Sequence, residues 1–532
     1  MHDPVTPSFD FDHVVIGSGF GGSVSALRLS EKGYRVLVLE KGRWFNKADD
    51  FPRSNWNLRR WLWEPRLGWR GLFKISFFRH VTVLSGTGVG GGSLVYANTL
   101  PVPSKPFFHT GSWKDLCDWE RELAPYYLLA RRMLGTERHP YTSRSDQVMQ
   151  ELAADLGIPE GFSTVDAAVH FGTPGITVKD PYFGGRGPDR TGCIQCGGCM
   201  LGCRHNAKNT LDKNYLHLAQ QLGCTIRANA EVVDVKPLSP DGSAGYRIRY
   251  RDPSSWFPRI LTVTARGVVF AGGVMGTLPL LLKLKAGSLP NLSDTLGHGV
   301  RTNSESLIGV TTFDRKATFS EGIAIGSIVE LDQDRHVEPV KYPPGNGIWR
   351  ILMAPMVKGS AWPKRLLNMV LLPLKQPGQY LRTVFVNDWS RRTHILLYME
   401  SIDSTLRLKR GTFGTRSALE SGTAPTAFNP QAQDIAHRVE RIVNGKAMVL
   451  MQETLLGIPT TAHILGGACM GADASTGVID RHNRVFGYAN LWVCDGSAIS
   501  ANPGVNPSLT ITALAEHAMA QVPHCSHGTA GP

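Results

Sequence analysis

Three observations predict an α/β, Rossmann-like nucleotide-binding domain joined to an α+β domain built on a mainly antiparallel sheet. Near its start the chain has an apolar run, Val14-Val15-Ile16, then Gly17-Ser18-Gly19-Phe20-Gly21-Gly22, a helical pattern over 21–31, and a second apolar run, Val36–Leu39, ending in Glu40. Val268-Val269-Phe270-Ala271-Gly272-Gly273, followed by a helical pattern over 275–285, repeats that logic near mid-chain. Between 307 and 409 the pattern changes to strand-like segments. At 532 residues the chain is too long for one simple core, which agrees with two structural units.

Each part of the opening unit has a physical reason. Gly17 permits a tight turn, Gly19 lets the backbone approach a phosphate, and Gly22 lets the helix pack closely on the strand. The helix N-terminus offers unpaired N–H groups and a partial positive charge to an anion, and Glu40 can accept hydrogen bonds from a ribose. Residues 55–69, rich in Trp and Arg, read as a loop or lid. Val81-Thr82-Val83-Leu84 then leads into a second glycine-rich stretch over 85–98, whose bare backbone can lie flat against a large planar ligand.

Helical patterns follow over 113–135, where Pro125 is expected to split or kink the helix and Gly135 to stop it, over 143–156, where Ser143 and Asp146 have capping-box spacing, and over 210–223. Short strands at 225–228 and 231–235 precede a turn at Asp241-Gly242. Strands of the second unit are read at 307–312, 323–331, 394–401 and 405–409, the last two joined as an antiparallel pair, and 431–456 reads as helical. The final section has a strand over 491–494, then Asp495-Gly496, then a helix start with Asn506 as N-cap and Pro507 as first helical residue.

Net charge is +13, from 57 Lys and Arg against 44 Asp and Glu, but the basic residues are dispersed and no nucleic-acid module is present, so nucleic acid is not an expected partner. Residues 348–353, 362–367 and 370–375 interleave basic and apolar side chains, and read either as a surface for anionic lipid or as a partly buried insertion. The first thirteen residues are polar and acidic without an apolar signal core, and no apolar run is long enough to span a bilayer. The expected location is the cytoplasm, with contact to a membrane face. Four of the nine cysteines, Cys193, Cys196, Cys199 and Cys203, have the spacing of bacterial ferredoxin cysteines, although Arg204 stands where proline is usual. An iron–sulfur cluster, a zinc site and a turn of reduced thiols are the three readings. His463, between a helix and a glycine turn, has the side chain suited to proton transfer near neutral pH; the alternative is a structural histidine.

Gly17 to Gly22 with Glu40, Gly86 to Asn98, Ala271 to Thr277, His463 to Gly467, and Asp495 through Asn506 to Thr510 together resemble, in order and over nearly the whole chain, the glucose-methanol-choline oxidoreductase family, and within it the bacterial cholesterol-oxidase branch. The resemblance implies FAD as cofactor, held by Gly17, Gly19, Phe20, Gly22, Glu40, Gly86, Gly91, Gly92, Ser93, Asn98, Gly272, Asp495, Gly496, Asn506 and Pro507, with the Val233 backbone meeting the adenine. It implies oxidation of a sterol or long-chain alcohol. In that reaction His463 deprotonates the hydroxyl, hydride passes to the flavin, Asn506 orients substrate and flavin, and oxygen or another acceptor takes the electrons. Glu338, with Glu400 in reserve, is the candidate carboxylate for shifting a steroid double bond; its alternative is a surface glutamate at a strand end. The corresponding division is an FAD-binding domain of 1–110, 181–306 and 455–532, and a substrate-binding domain of 111–180 and 307–454. Two further readings are a dehydrogenase passing electrons to an iron–sulfur cluster or quinone, and a non-catalytic flavin- or lipid-binding protein.

Overall fold

The computed structural model describes residues 9–357, 362–402, 404–412, 414–420, 427 and 429–525; the polar start read at residues 1–8 lies outside them. Its first layer is a seven-stranded sheet in the order Thr225–Arg227, Val36–Leu39, Phe11–Ile16, Leu261–Phe270, Tyr246–Arg251, Glu231–Pro237, with Leu491–Val493 also paired to Leu261–Phe270. Phe11–Ile16 runs parallel to both neighbours, with Ile16 opposite Leu39 and Phe270. The two glycine turns therefore leave the sheet side by side at one edge. Val14, Val15, Leu37, Val38, Val268 and Val269 are fully buried, because this parallel core is covered on both faces, and so these strands read as unbroken apolar runs.

Helices Phe20–Glu31, Trp119–Met133 and Ser508–Ala520 share the core of this sheet. Pro125 does not split its helix: Trp119–Met133 is one element, and Pro125 lies on its exposed face, where the carbonyl it leaves unpaired can reach water. Gly135 ends it as expected, at φ +60° one residue after the C-cap Leu134. The Ser143–Asp146 capping box forms at the start of helix Arg144–Asp155. The helix read over 210–223 is broken at Asn214, whose side chain caps the shorter helix Tyr215–Gln221 after a 3-10 turn at Leu211–Lys213. Residues 55–69 are not a bare loop but a short helix, Leu58–Trp61, and a ribbon of Trp63–Glu64 against Trp69–Arg70.

The second layer is a seven-stranded sheet in the order Met353–Pro355, Gly445–Leu450, Ser306–Thr312, Thr393–Glu400, Arg335–Val340, Ser327–Glu330, Phe162–Thr164, antiparallel throughout. Thr405–Gly411 is not the hairpin partner of Thr393–Glu400; it pairs with Val300–Arg301 and Gly414–Leu419 in a separate three-stranded sheet. The segment 431–456 is helix Pro430–Ile442, strand Gly445–Leu450 and helix Met451–Leu456, separated at Asn444 in left-handed backbone. Residues 111–180 straddle the layers: Trp119–Met133 packs with the first sheet, whereas Phe162–Thr164 edges the second. Among the described residues no helix is long and apolar enough to cross a membrane.

Candidate active site

A cavity of about 820 Å³ lies between the two sheets. From the first layer it is lined by Gly17, Gly19, Phe20, Glu40, Gly86, Gly91, Gly92, Val233, Gly272, Asp495, Gly496 and Pro507. From the second it is lined by Glu305, Leu307, Ile325, Val340, Tyr342, Trp349, Met353, Trp389, Ile395 and Leu397, with His463 and Asn506 between the two.

The glycine turn is closed by packing on every side but one. A Cβ at Gly17, where φ is +103°, would lie 2.4 Å from the Ala271 carbonyl, and one at Gly22 would lie 2.2 Å from the Gly17 carbonyl. At Gly19 a Cβ would meet nothing within 4 Å, so the turn opens into the cavity there. This is a cradle for a phosphate at the N-terminus of helix Phe20–Glu31. Glu40 accepts from the Ser18 amide and hydroxyl at 3.1 and 2.8 Å and from the Gly42 amide at 2.8 Å, so it braces the turn while retaining lone pairs for a ribose. Val233 sits at a register shift between Val232 and Asp234, and Lys283 Nζ donates to its carbonyl at 2.6 Å. A bulge takes a residue out of the ladder, and Val233 lines the cavity there. Asp495 accepts from the Gly273 amide at 2.9 Å and the Ser497 amide at 2.8 Å, tying together the starts of two helical turns.

Ser93 and Asn98 depart from expectation. Ser93 is buried and does not line the cavity, donating to the Gly90 carbonyl at 2.7 Å and accepting from the Leu211 amide at 3.1 Å, so its side chain braces the stretch. Asn98 is buried with φ +74° and its side chain meets the Cys199 thiol, while its neighbours Ala97 and Thr99 line the cavity. The open glycine turn and the carboxylate at the strand end fit FAD.

Of the three readings of the cysteine cluster, the structure agrees with the turn of reduced thiols and gives no support to the iron–sulfur and zinc readings. All four cysteines of the cluster are free, and among the described residues no group of three or more His, Cys, Asp or Glu side chains is placed to hold a metal ion. Gln195, Gly197 and Gly202 in this loop have left-handed backbone. Burial pushes the Cys196 thiol up to about 11 and raises Cys193 and Cys199 as well, which favours the protonated thiols.

The polar end of the cavity centres on His463. Its Nδ1 is 2.9 Å from Glu305 Oε1, which also accepts from the Thr461 hydroxyl at 2.6 Å, while Glu305 Oε2 accepts from the Ala462 amide at 3.0 Å. Burial alone would lower the His463 pKa; the charge and hydrogen bond of Glu305 more than reverse this and hold it above the ordinary value. Burial would likewise raise Glu305, but His463, Thr461 and Ala462 hold it below the usual carboxylate range. Glu305 was not foreseen, and nor was His336.

Glu338 is not a surface residue at a strand end. It lies within Arg335–Val340, a strand with neighbours on both sides, and is 0% exposed. Burial pushes its carboxyl up to about 8 against the opposing pull of His463 and Asn506. His336 Nε2 stands 3.9 Å from Glu338 Oε1, with burial and the charge of His463 lowering the imidazole to about 4. Asn506 is not the N-cap: the helix starts at Ser508, Pro507 caps it, and no side chain bonds there. With its amide nitrogen turned to Glu338, Asn506 Nδ2 lies 2.9 and 3.3 Å from the two carboxyl oxygens. Glu400 is elsewhere, accepting from Asn429 Nδ2 at 2.7 Å at the far end of its strand.

Comparison with known proteins agrees with this geometry. Residues 393–515 match a GMC oxidoreductase family model, and 15–45 match an NAD(P)-binding Rossmann-like domain. The chain is 44% identical over 529 residues to a cholesterol oxidase of Acinetobacter baumannii, covering 97% of this chain and 95% of that protein. It is 43% identical over 534 residues to a cholesterol oxidase of Mycobacterium tuberculosis, covering 97% and 91%. The solved pyridoxine 4-oxidase from Mesorbium loti shares the fold, with a TM-score of 0.62 at 15% identity over 96% of this chain and 98% of that one.

Proposed function

Because the chain belongs to the glucose-methanol-choline oxidoreductase family, on the side of its cholesterol oxidases, we propose that it oxidises the hydroxyl of a sterol or closely related alcohol, with FAD as cofactor and oxygen as electron acceptor. The observation that carries this reading is the Glu305–His463 pair facing an apolar cavity beside an open nucleotide cradle. FAD, when bound, accepts the hydride. Glu305 engages Nδ1 of His463, which leaves Nε2 as the acceptor for the alcohol proton, and the carboxylate stabilises the imidazolium that forms. Asn506 bridges the substrate region and Glu338. Leu307, Ile325, Val340, Met353, Ile395 and Leu397 exclude water and suit a rigid hydrocarbon. Glu338, whose carboxyl ionises at about 8, takes in its ionised form a proton from one carbon of the product and returns it to another, which shifts the double bond.

The same reading has the protein in the cytoplasm, resting on anionic lipid. All nine cysteines are free thiols, in keeping with a reducing compartment. Helix Trp362–Lys375 exposes Leu366, Leu367, Val370 and Leu374, and helix Pro377–Val384 exposes Leu381 and Val384, flanked by Lys364, Lys375 and Arg382.

An anaerobic absorbance titration tests the function. Cholesterol is expected to bleach the bound flavin, and admitted air to restore it with formation of peroxide. Slow restoration by air but rapid restoration by a quinone would replace oxygen as acceptor. Bleaching by neither cholesterol nor a long-chain alcohol would overturn the reading.

A further inference from the structure

Behind the glycine-rich wall of the cavity lies a buried charge outside the machinery described so far. Lys208 is 1% exposed, and its Nζ donates to the carbonyls of Leu94 at 3.1 Å, Tyr96 at 2.8 Å and Cys199 at 2.8 Å, with the Tyr96 ring centroid at 4.6 Å. Three carbonyls match the three protons of an ammonium. Among the described residues no carboxylate bonds to it; burial pulls its pKa down to about 7 against Cys199, Cys203 and Asp212, whose Oδ2 is taken by Lys213 at 2.7 Å, and three carbonyl acceptors, which only the ammonium can engage together, favour the charged form. Arg190, also 1% exposed, adds a second buried cation, donating to the Lys208 carbonyl and to the side chains of Asn206 and Asn209.

A clamp between residues 94–96 and 199 accounts for the three hydrogen bonds but not for the use of a cation. A neutral donor would satisfy those carbonyls without the desolvation cost of an unpaired charge. The position supplies the reason, because Tyr96, Ala97 and Met200 line the cavity, and Lys208 grips the backbone of Tyr96 and of the residue before Met200. The ammonium is thus one layer of backbone behind the wall.

Building on the FAD-dependent reading, we propose that the Lys208 ammonium acts as a positive charge behind this wall of the cavity, favouring the flavin once reduction has made it negative and so raising its potential. In the oxidation, the C–H electron pair and its hydrogen pass to the flavin as hydride, the hydroxyl proton passes to His463, and the ring is left anionic, which in turn favours the ammonium form of Lys208.

The test uses holoenzyme and no alcohol, so its outcome is independent of whether a sterol is the substrate. Sulfite adds to oxidised flavin and leaves the ring negatively charged, and therefore reports the same electrostatics as reduction. Lys208→Gln keeps two donors but removes the charge. It is expected to weaken sulfite binding at least about tenfold and to lower the two-electron midpoint potential by about 30 mV or more, the equivalent of that factor. Lys208→Arg is expected to stay near wild type in both. Unchanged sulfite affinity and potential in Lys208→Gln would overturn the proposal. Should Lys208→Gln retain no flavin, Asp212→Asn decides: with this neighbouring acid neutralised, sulfite should bind tighter and the potential should rise, and no change in either refutes the role.

Discussion

The two walls of the cavity are made in opposite ways. The cofactor wall is backbone: residues 17–22, 86–92 and 271–273 present glycines where a single Cβ would collide with a neighbouring carbonyl or fill the cradle. The opposite wall is side chains brought from far apart: Glu305 just before strand Ser306–Thr312, Glu338 within Arg335–Val340, His463 after Thr460–Thr461, and Asn506 before helix Ser508–Ala520. One wall is specified by shape and should fail when volume is added. The other is specified by charge, and should fail when a proton or a carboxylate is taken away while its shape is kept.

The sharpest way to break this contrast is to swap the insults. Gly22→Val puts side-chain atoms where even a Cβ is 2.2 Å from the Gly17 carbonyl, so the turn cannot close. The purified variant should carry essentially no flavin, read as the ratio of flavin to protein absorbance; a normal ratio would refute the cradle. Glu305→Gln alters almost no volume and should leave flavin content intact while lowering kcat by about 10². Its pH profile separates charge from packing. In the wild type kcat/KM should rise with pH as His463 loses its proton, with a midpoint above the ordinary histidine value because Glu305 raises it. Without the carboxylate that midpoint should move to lower pH. An unmoved midpoint would mean that Glu305 only fills space.

How much could be read in advance follows the same divide. The glycine turn, Glu40 and the second turn at 271–273 were legible because their meaning is local: a torsion, a spacing, an adjacent apolar run. Glu305 was not, because nothing around Ser304-Glu305-Ser306 marks the acid as the partner of a histidine 158 residues later; only the fold brings them together. Glu338 was nameable as a carboxylate, yet its strand was missed because Pro339 argues against a paired strand and the charged Arg335 and Glu338 mask the rest. Its burial, which gives it its chemistry, therefore came from the structure. The Tyr246–Arg251 strand did carry a legible signal, with Tyr246, Ile248 and Tyr250 buried and Arg247 and Arg249 exposed in strict alternation. The cysteine spacing misled for a complementary reason, since spacing along a chain constrains but does not fix whether sulfurs converge.

Within the side-chain wall, His463 and Glu338 should be separable. Glu338→Gln keeps an amide in the same buried place, so oxidation should persist within a few-fold while the unisomerised ketone accumulates, followed by its ultraviolet absorbance and by chromatography. Wild-type isomerisation should increase with pH toward a midpoint near 8, where the carboxyl ionises. If Glu338→Gln abolishes flavin reduction and leaves the product distribution unchanged, the division of labour between the two residues is wrong.

The outer rim of the same wall gives the mildest break. Trp349 lines the cavity, while Ile351 and Leu352 on the same 3-10 turn are 57% and 42% exposed, and Leu367 and Leu374 of helix Trp362–Lys375 are 57% and 70% exposed. On the proposed reading, an apolar rim next to an apolar cavity would let a sterol pass from lipid to site without crossing water, and the basic residues beside it would favour an anionic surface. Each leucine that enters the bilayer is worth about 1.5–3 kcal/mol, so Leu367→Gln with Leu374→Gln should weaken binding to phosphatidylglycerol vesicles by at least about tenfold. Turnover of detergent-dispersed sterol should be unchanged, because neither side chain lines the cavity; turnover of vesicle-borne sterol should fall with the binding. Equal losses on both substrates would show that these leucines support the fold of the wall and not its contact with lipid.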